Sequence, residues 1–403
     1  MSRASFSRRD MIAGMMAMGP MMTFGRAFAA PNAGSRLLVV FLRGAYDALN
    51  VVIPTGTDFY YEARPTIGLA RPDPHDPGTP VPLDSDWSLH PALKQSILPL
   101  WQKKQIAFIP FAGTNDVSRS HFETQDTIEM GQSVGQRRDY TSGFMARLAS
   151  VTERQGASIA FTDQLPLCFR GSGAPIPNLA LANVGKPVNP RQAQLIESMY
   201  QSHAGLAQSV KEGFQVRDMA FQTLDDEMKA SGRGAVTSKG FQLAARRMGT
   251  LMRNHYNLAF ADVGGWDTHV NQGGLTGTLA DRIGDFGQGL VAFADAIGPE
   301  AWRTTTVVVV SEFGRTFREN GAKGTDHGHG SIYWVLGGGV SGGRIAGEQV
   351  ALSPQTLNEG RDLPVLTDYR GLIGGLAMQQ FGLNASQIGR LFPGAPPTNL
   401  RLI

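Results

Sequence analysis

Residues 304–333, TTTVVVVSEFGRTFRENGAKGTDHGHGSIY, bring Glu312, Arg315, Asp326, His327 and His329 into one glycine-rich segment. Carboxylates and imidazoles together suit a divalent transition metal such as Zn or Mn. The segment opens with Val307 to Val310, four β-branched residues in a row. That run is too short for a helix and reads as a buried strand of the parallel type. A second apolar strand is expected at Ile332 to Leu336. Ligands bind outside the carboxyl ends of strands in open α/β sheets. The loop after Val310 therefore has the position, as well as the residues, of a reaction site.

Three other expected strand ends carry similar groups. Asp47 follows the apolar run Arg36 to Leu42, Ser118 to His121 follow Ile106 to Phe111, and Asp267 with His269 follow Tyr256 to Val263. Only a parallel sheet gathers the carboxyl ends of strands so far apart in sequence. Paired metals there would acidify a bound water or hydroxyl and clamp a transferring oxyanion group. Ser120 stands where a helix is expected to begin, and helix N-terminal amides favour an anion. It is the candidate nucleophile, with Arg119 or Arg315 as oxyanion partners and Arg43 as a third cation. Each piece also has a plainer reading. Asp47 could cap a turn, Asp267 and His269 could be a hydrogen-bonded pair, and Ser120 could be an ordinary N-cap. His75, His90, His203 and His255 read as structural.

The elements that must hold these residues alternate along the chain. Helices are expected at Pro91 to Lys103, from near His121, at Leu275 to Ile297 and at Asp368 to Phe381. Asp58 to Asp86, rich in Pro, Gly and Asp, reads as a long surface loop. Strand and helix in alternation give an α/β fold, a mostly parallel sheet sandwiched by helices. The domain spans residues 31–403. Pro190 to Lys229 and Lys239 to Asn254 are helical and charged on one face, which makes residues 190–254 a helical insertion or cap.

The first thirty residues read as a leader. Ser7-Arg8-Arg9-Asp10 is a twin-arginine pattern, a weakly apolar stretch follows, and Ala27-Phe28-Ala29 fits a cleavage site. That apolar stretch is too short for a membrane anchor. The twin-arginine translocase is then the export partner, and the mature protein is periplasmic or otherwise exported. The leader carries four arginines against one aspartate, which accounts for the whole chain's formal charge of +3. A near-neutral mature chain lacks the basic face that nucleic acid requires. Cys168 is the single cysteine, so no intramolecular disulfide can form.

LRGAYDALNVVIP, SRSHFETQD, GGWDTH and SEFGRT…NGAKGTDHGHG, in that order, resemble the bacterial family called domain of unknown function 1501. The resemblance covers the whole mature chain. It implies a fold of the alkaline phosphatase and sulfatase superfamily with one or two divalent ions (Zn, Mn or Ca). It also implies metal ligands at Asp47, Asp267, His269, Glu312 and His327 or His329, with the nucleophile at Ser120. The activity implied is hydrolysis of phosphate or sulfate esters, on a small anionic ester or glycan substrate. Where that superfamily has Asp-His after the late strand, this chain has Glu312-Phe313. That departure favours the alternative, a non-catalytic periplasmic binding protein on the same fold.

Overall fold

The computed structural model describes residues 34–135, 138–154, 157–173, 175–181, 196, 198–200, 206–211, 213–215 and 240–403. The expected leader and most of the helical stretch expected at 190–229 lie outside the described residues.

The strands in chain order are β1 (Arg36–Leu42), β2 (Val52–Ile53), β3 (Val81–Pro82), β4 (Ser88–Leu89), β5 (Ile106–Gly113) and β6 (Ser158–Phe161). They continue with β7 (Leu258–Val263), β8 (Thr305–Ser311), β9 (Ser331–Leu336), β10 (Arg344–Ile345) and β11 (Thr367–Asp368). The helices are α1 (Asp58–Ala63), α2 (Ile97–Gln102), α3 (His121–Met130), α4 (Phe144–Val151), α5 (Phe241–Asn254), α6 (Thr278–Ile297), α7 (Pro299–Trp302), α8 (Tyr369–Phe381) and α9 (Ala385–Leu391).

Eight strands form the central sheet in the order β10-β5-β9-β8-β1-β7-β6, with β11 also pairing β5. β1 pairs in parallel with both β7 and β8, and β6 with β7. β9 is antiparallel to its neighbours β8 and β5. The sheet is thus mostly parallel, as the alternation of elements requires. The reversed β9 has a direct consequence for the site. The loop leaving the carboxyl end of β8 enters β9 at its amino end, so residues 312–330 stay on the edge where β1, β5 and β7 also finish.

Both faces of the sheet are covered. Leu38, Val40 and Leu42 of β1 point into one apolar layer, with Val307 and Val309 of β8 and Ile283, Phe286 and Leu290 of α6. Leu37, Val39 and Phe41 point into the other, with Leu148 of α4 and Leu372 and Leu376 of α8. Strands buried on both faces read as unbroken apolar runs. Each fully buried valine or leucine contributes about 1.5–3 kcal/mol relative to exposure.

Within the span 190–254, α5 buries Ala245, Met248, Leu251 and Met252. Its contact with α6 is close. A Cβ added at Gly249 would lie 2.6 Å from the carbonyl oxygen of Phe293, and Phe241 stacks on Phe286 at 5.1 Å.

Residues 58–86 differ from the expected long loop. They contain α1, and β3 joins β2 and β4 in a small antiparallel sheet. Thr57 caps α1 by accepting the Phe59 N–H at 3.3 Å. Phe59 then stacks on Phe317 at 4.4 Å. The Phe59–Phe317 stack joins residues far apart in sequence, a partner that local composition cannot announce. Among the described residues, no helix is long and apolar enough to cross a membrane.

Candidate metal centre

Three segments deliver side chains to the carboxyl edge of the sheet. His121 is the first residue of α3, whose N-cap is Ser120; the Ser120 hydroxyl accepts the Glu123 N–H at 3.5 Å. Asp267 and His269 follow β7, where the buried Trp266 donates its indole N–H to the Val263 carbonyl at 2.9 Å and pins the turn. His327 lies in the loop between β8 and β9. That loop folds back on itself by pairing Arg315 with His327. Gly314 makes the fold-back possible, because a Cβ there would lie 1.8 Å from the Gly330 carbonyl oxygen.

The side chains converge on one point. The Nε2 atoms of His269 and His327 are 3.0 Å apart. Asp267 Oδ1 is 2.8 Å from His269 Nε2 and 3.5 Å from His327 Nε2. Asp267 Oδ2 is 3.5 Å from His121 Nε2. One donor atom each from His121, Asp267 and His327 falls within 4.8 Å of the others.

The opposite nitrogen of each ring decides what Nε2 can do. His121 Nδ1 faces Glu312 Oε1 at 2.8 Å, His269 Nδ1 faces Asp326 Oδ1 at 3.2 Å, and His327 Nδ1 faces the Arg119 carbonyl at 2.9 Å. A carboxylate or carbonyl oxygen only accepts, so each Nδ1 carries a proton and each Nε2 is turned toward the cluster, where His269 Nε2 also meets Asp267 Oδ1 at 2.8 Å and the Arg315 guanidinium at 3.4 Å. His121 Nε2 is buried and has no hydrogen-bond partner among the described residues. Two lone pairs 3.0 Å apart repel unless a proton or a metal ion lies between them. Three imidazole nitrogens and one carboxylate are a donor set suited to a divalent metal, and ring N–H groups held by acceptors are its usual support.

The surroundings act on the rings in opposite directions. Hydrogen bonding to Glu312 raises His121, against the effect of burial. Burial lowers His327. Burial would push Asp267 up, but the Arg315 guanidinium outweighs it and holds the carboxyl below its ordinary range. The Asp267 and His269 side chains keep 44% and 38% of their surface exposed. The cluster is therefore open to solvent, as a reactive or ligand-accepting site must be and a structural zinc site is not.

Asp267, His269 and His327 thus meet as the sequence suggested. Glu312 is adjacent but acts on His121 rather than on the cluster's centre. It is fully buried and accepts from Gly44 N at 2.7 Å, Gln125 Nε2 at 2.8 Å and Ser311 Oγ at 3.0 Å besides His121. Asp47 lies apart, in a buried ion pair with Arg64 at 2.6 Å, and also accepts from Gln272 Nε2 at 2.6 Å. His329 is buried and, among the described residues, makes no hydrogen bond or ion pair with the four donors; its ring is lowered first by burial and then by the Arg119 charge.

Both expected oxyanion partners already pair with carboxylates. Arg119 meets Glu359 and Asp362 through Nη2 alone, at 2.6 and 2.8 Å, and its buried Nε has no partner among the described residues. Arg315 is buried and spends its fork on the carbonyls of Gly44, Ala45 and Thr325 and on Asp267. The Ser120 hydroxyl makes no hydrogen bond to the cluster among the described residues. His121 was missed as a ligand because the acid that supports its ring, Glu312, lies far away in sequence. Its one signal was its place at a helix start after a strand.

A family model matches residues 34–392. The chain belongs to the DUF1501 family, described as proteins of unknown function. Solved structures similar to this family member include a mutant of TAB5 alkaline phosphatase with bound magnesium. That match has 13% identity and a TM-score of 0.33, and covers 75% of this chain and 90% of the other. Comparison with curated proteins finds no significant match.

Proposed function

We propose that the protein is an exported metal-dependent hydrolase of phosphate or sulfate esters, reacting at His121, Asp267, His269 and His327. The observation that carries this reading is the convergence of three imidazole Nε2 atoms on one carboxylate at an open edge of the sheet. Zn or Mn fits this imidazole-rich set better than Ca, which prefers oxygen ligands. A bound divalent ion would supply Lewis acidity to an ester oxygen and acidify a water.

The chain's own residues fix the geometry. Glu312, Asp326 and the Arg119 carbonyl hold the Nδ1 protons, and Arg315 holds Asp267. The donor atoms of His121, Asp267 and His327 lie close enough together for one ion. Ser120, committed to capping α3, is not needed as the attacking group. Export rests on the twin-arginine leader.

Metal analysis of the purified protein, followed by assays on aryl phosphates and sulfates, tests the reading. The expected result is about one equivalent of Zn or Mn, with hydrolysis lost in His327→Ala and retained in Ser120→Ala. Metal bound without turnover on any ester would leave the non-catalytic binding protein standing instead. No bound metal would sink both metal-dependent forms.

A further inference from the structure

A cleft of about 740 Å³ opens beside the cluster, on the same edge of the sheet. Arg43 after β1, Thr162 and Asp163 after β6, and Asp262 to Gly264 at the end of β7 form its floor. α3 connects the two places. His121, Gln125 and Glu129 are spaced by four, so they share one helix face. His121 reaches the cluster, and Gln125 and Glu129 line the cleft. Gln125 touches both, donating to Glu312 at 2.8 Å and accepting from Arg43 at 2.8 Å. The volume is in the range of small-molecule sites.

The charges of the cleft select its ligand. Among the described residues, four carboxylates, Asp126, Glu129, Asp163 and Asp262, outnumber two guanidiniums, Arg43 and the exposed Arg170. Arg43 is fully engaged by Gln125, Glu129 and Asp262, so it offers nothing to an incoming anion. Asp126 and Asp163 carry no hydrogen bond or ion pair at their carboxylates among the described residues. Burial of Asp126 raises its pKa against the pull of the surrounding arginines. An ammonium beside it would offset that cost.

We propose that this cleft binds the amine-bearing part of a small-molecule substrate whose anionic ester lies at the metal cluster. The second half rests on the hydrolase reading. The first half does not, because none of the cleft's carboxylates belongs to the cluster. The substrate class is then an ester of an amine-bearing alcohol, such as an amino sugar, and a second acidic group is rejected by like charge.

Titration calorimetry of the metal-loaded protein tests this with three sugars of matched size: the free-amine glucosamine disaccharide, its N-acetylated counterpart and digalacturonate. The amine form is expected to bind at least tenfold more tightly than the neutral one, with digalacturonate undetectable. Raising the salt should shrink the preference, and the Asp126→Asn, Asp163→Asn double variant should cut amine affinity at least tenfold at unchanged metal content. Equal or tighter binding of the neutral or acidic sugar, no binding of any, or full affinity in the double variant overturns the proposal. The same titration after chelation separates the two readings. Amine binding that survives chelation, in a protein whose metal-loaded form hydrolyses no ester, rejects the hydrolase and keeps the cleft.

Discussion

Glu312 and Asp47 are both fully buried carboxylates near the ends of adjacent strands, yet they do different work. Glu312 is ionised against burial because His121, Gln125 and backbone N–H groups bond to it. It keeps the His121 proton on Nδ1 and so keeps Nε2 free. Glu312→Gln preserves the shape and removes the charge. Metal affinity should fall about 10- to 100-fold, the usual cost of losing such a supporting partner, as measured by competition with a chromogenic chelator. Asp47 instead neutralises Arg64, which is also buried and bonds Asn50 and the carbonyls of Thr316 and Phe317. Asp47→Ala leaves that guanidinium unpaired, and breaking such a pair costs about 3–5 kcal/mol. Denaturant unfolding should register that loss while metal stoichiometry stays at the wild-type value. A ligand role for Asp47 would produce the opposite pattern.

The elements around the site depend on long-range staples. His90 is one. Its Nδ1 accepts the Ala92 N–H at 3.0 Å and its Nε2 meets the Gly274 carbonyl at 3.1 Å, tying the small sheet to the loop that carries His269 and Gln272. A ring that accepts at one nitrogen and donates at the other is neutral. Burial accordingly lowers its pKa from the ordinary 6.5. The unfolded chain then binds more protons than the fold below that value, so stability falls as pH drops under about 6.5. Replacing His90 with Gln should flatten this part of the pH–stability curve, whatever it does to stability at neutral pH. An unchanged slope between wild type and variant would show that His90 does not titrate on unfolding. The α1 segment and the small sheet were read as loop because their anchors, Phe317 above all, are far away in sequence. β1, β7, β8 and α6 were legible because apolar runs and helical periodicity are local signals.

At the scale of the molecule, the cluster joins α3, the loop after β7 and the loop between β8 and β9. Metal binding therefore cross-links segments that unfolding would separate. An ion at a hundred times its dissociation constant should add about 2.7 kcal/mol of stability. The thermal midpoint should rise with Zn or Mn concentration and return to the metal-free value on chelation. In His327→Ala this rise should vanish. A wild-type midpoint indifferent to both ions would remove the metal centre from the account.

The linear chain determined the αβ alternation, the mostly parallel sheet and the strand ends at which chemistry had to lie. Those features rest on periodicity and on the rule that parallel strands finish together. It also nominated Asp267, His269 and His327 correctly as neighbours. What it left open was the division of labour among equivalent-looking groups. Asp47 and Asp267 both follow strands and both pair with a buried arginine, but Asp47 is sealed between Arg64 and Gln272 while Asp267 stays half-exposed beside three imidazoles. His121 looks ordinary until Glu312, 191 residues away, fixes its proton. Ligand, support and staple differ in which partner arrives across the fold, and no local pattern encodes that.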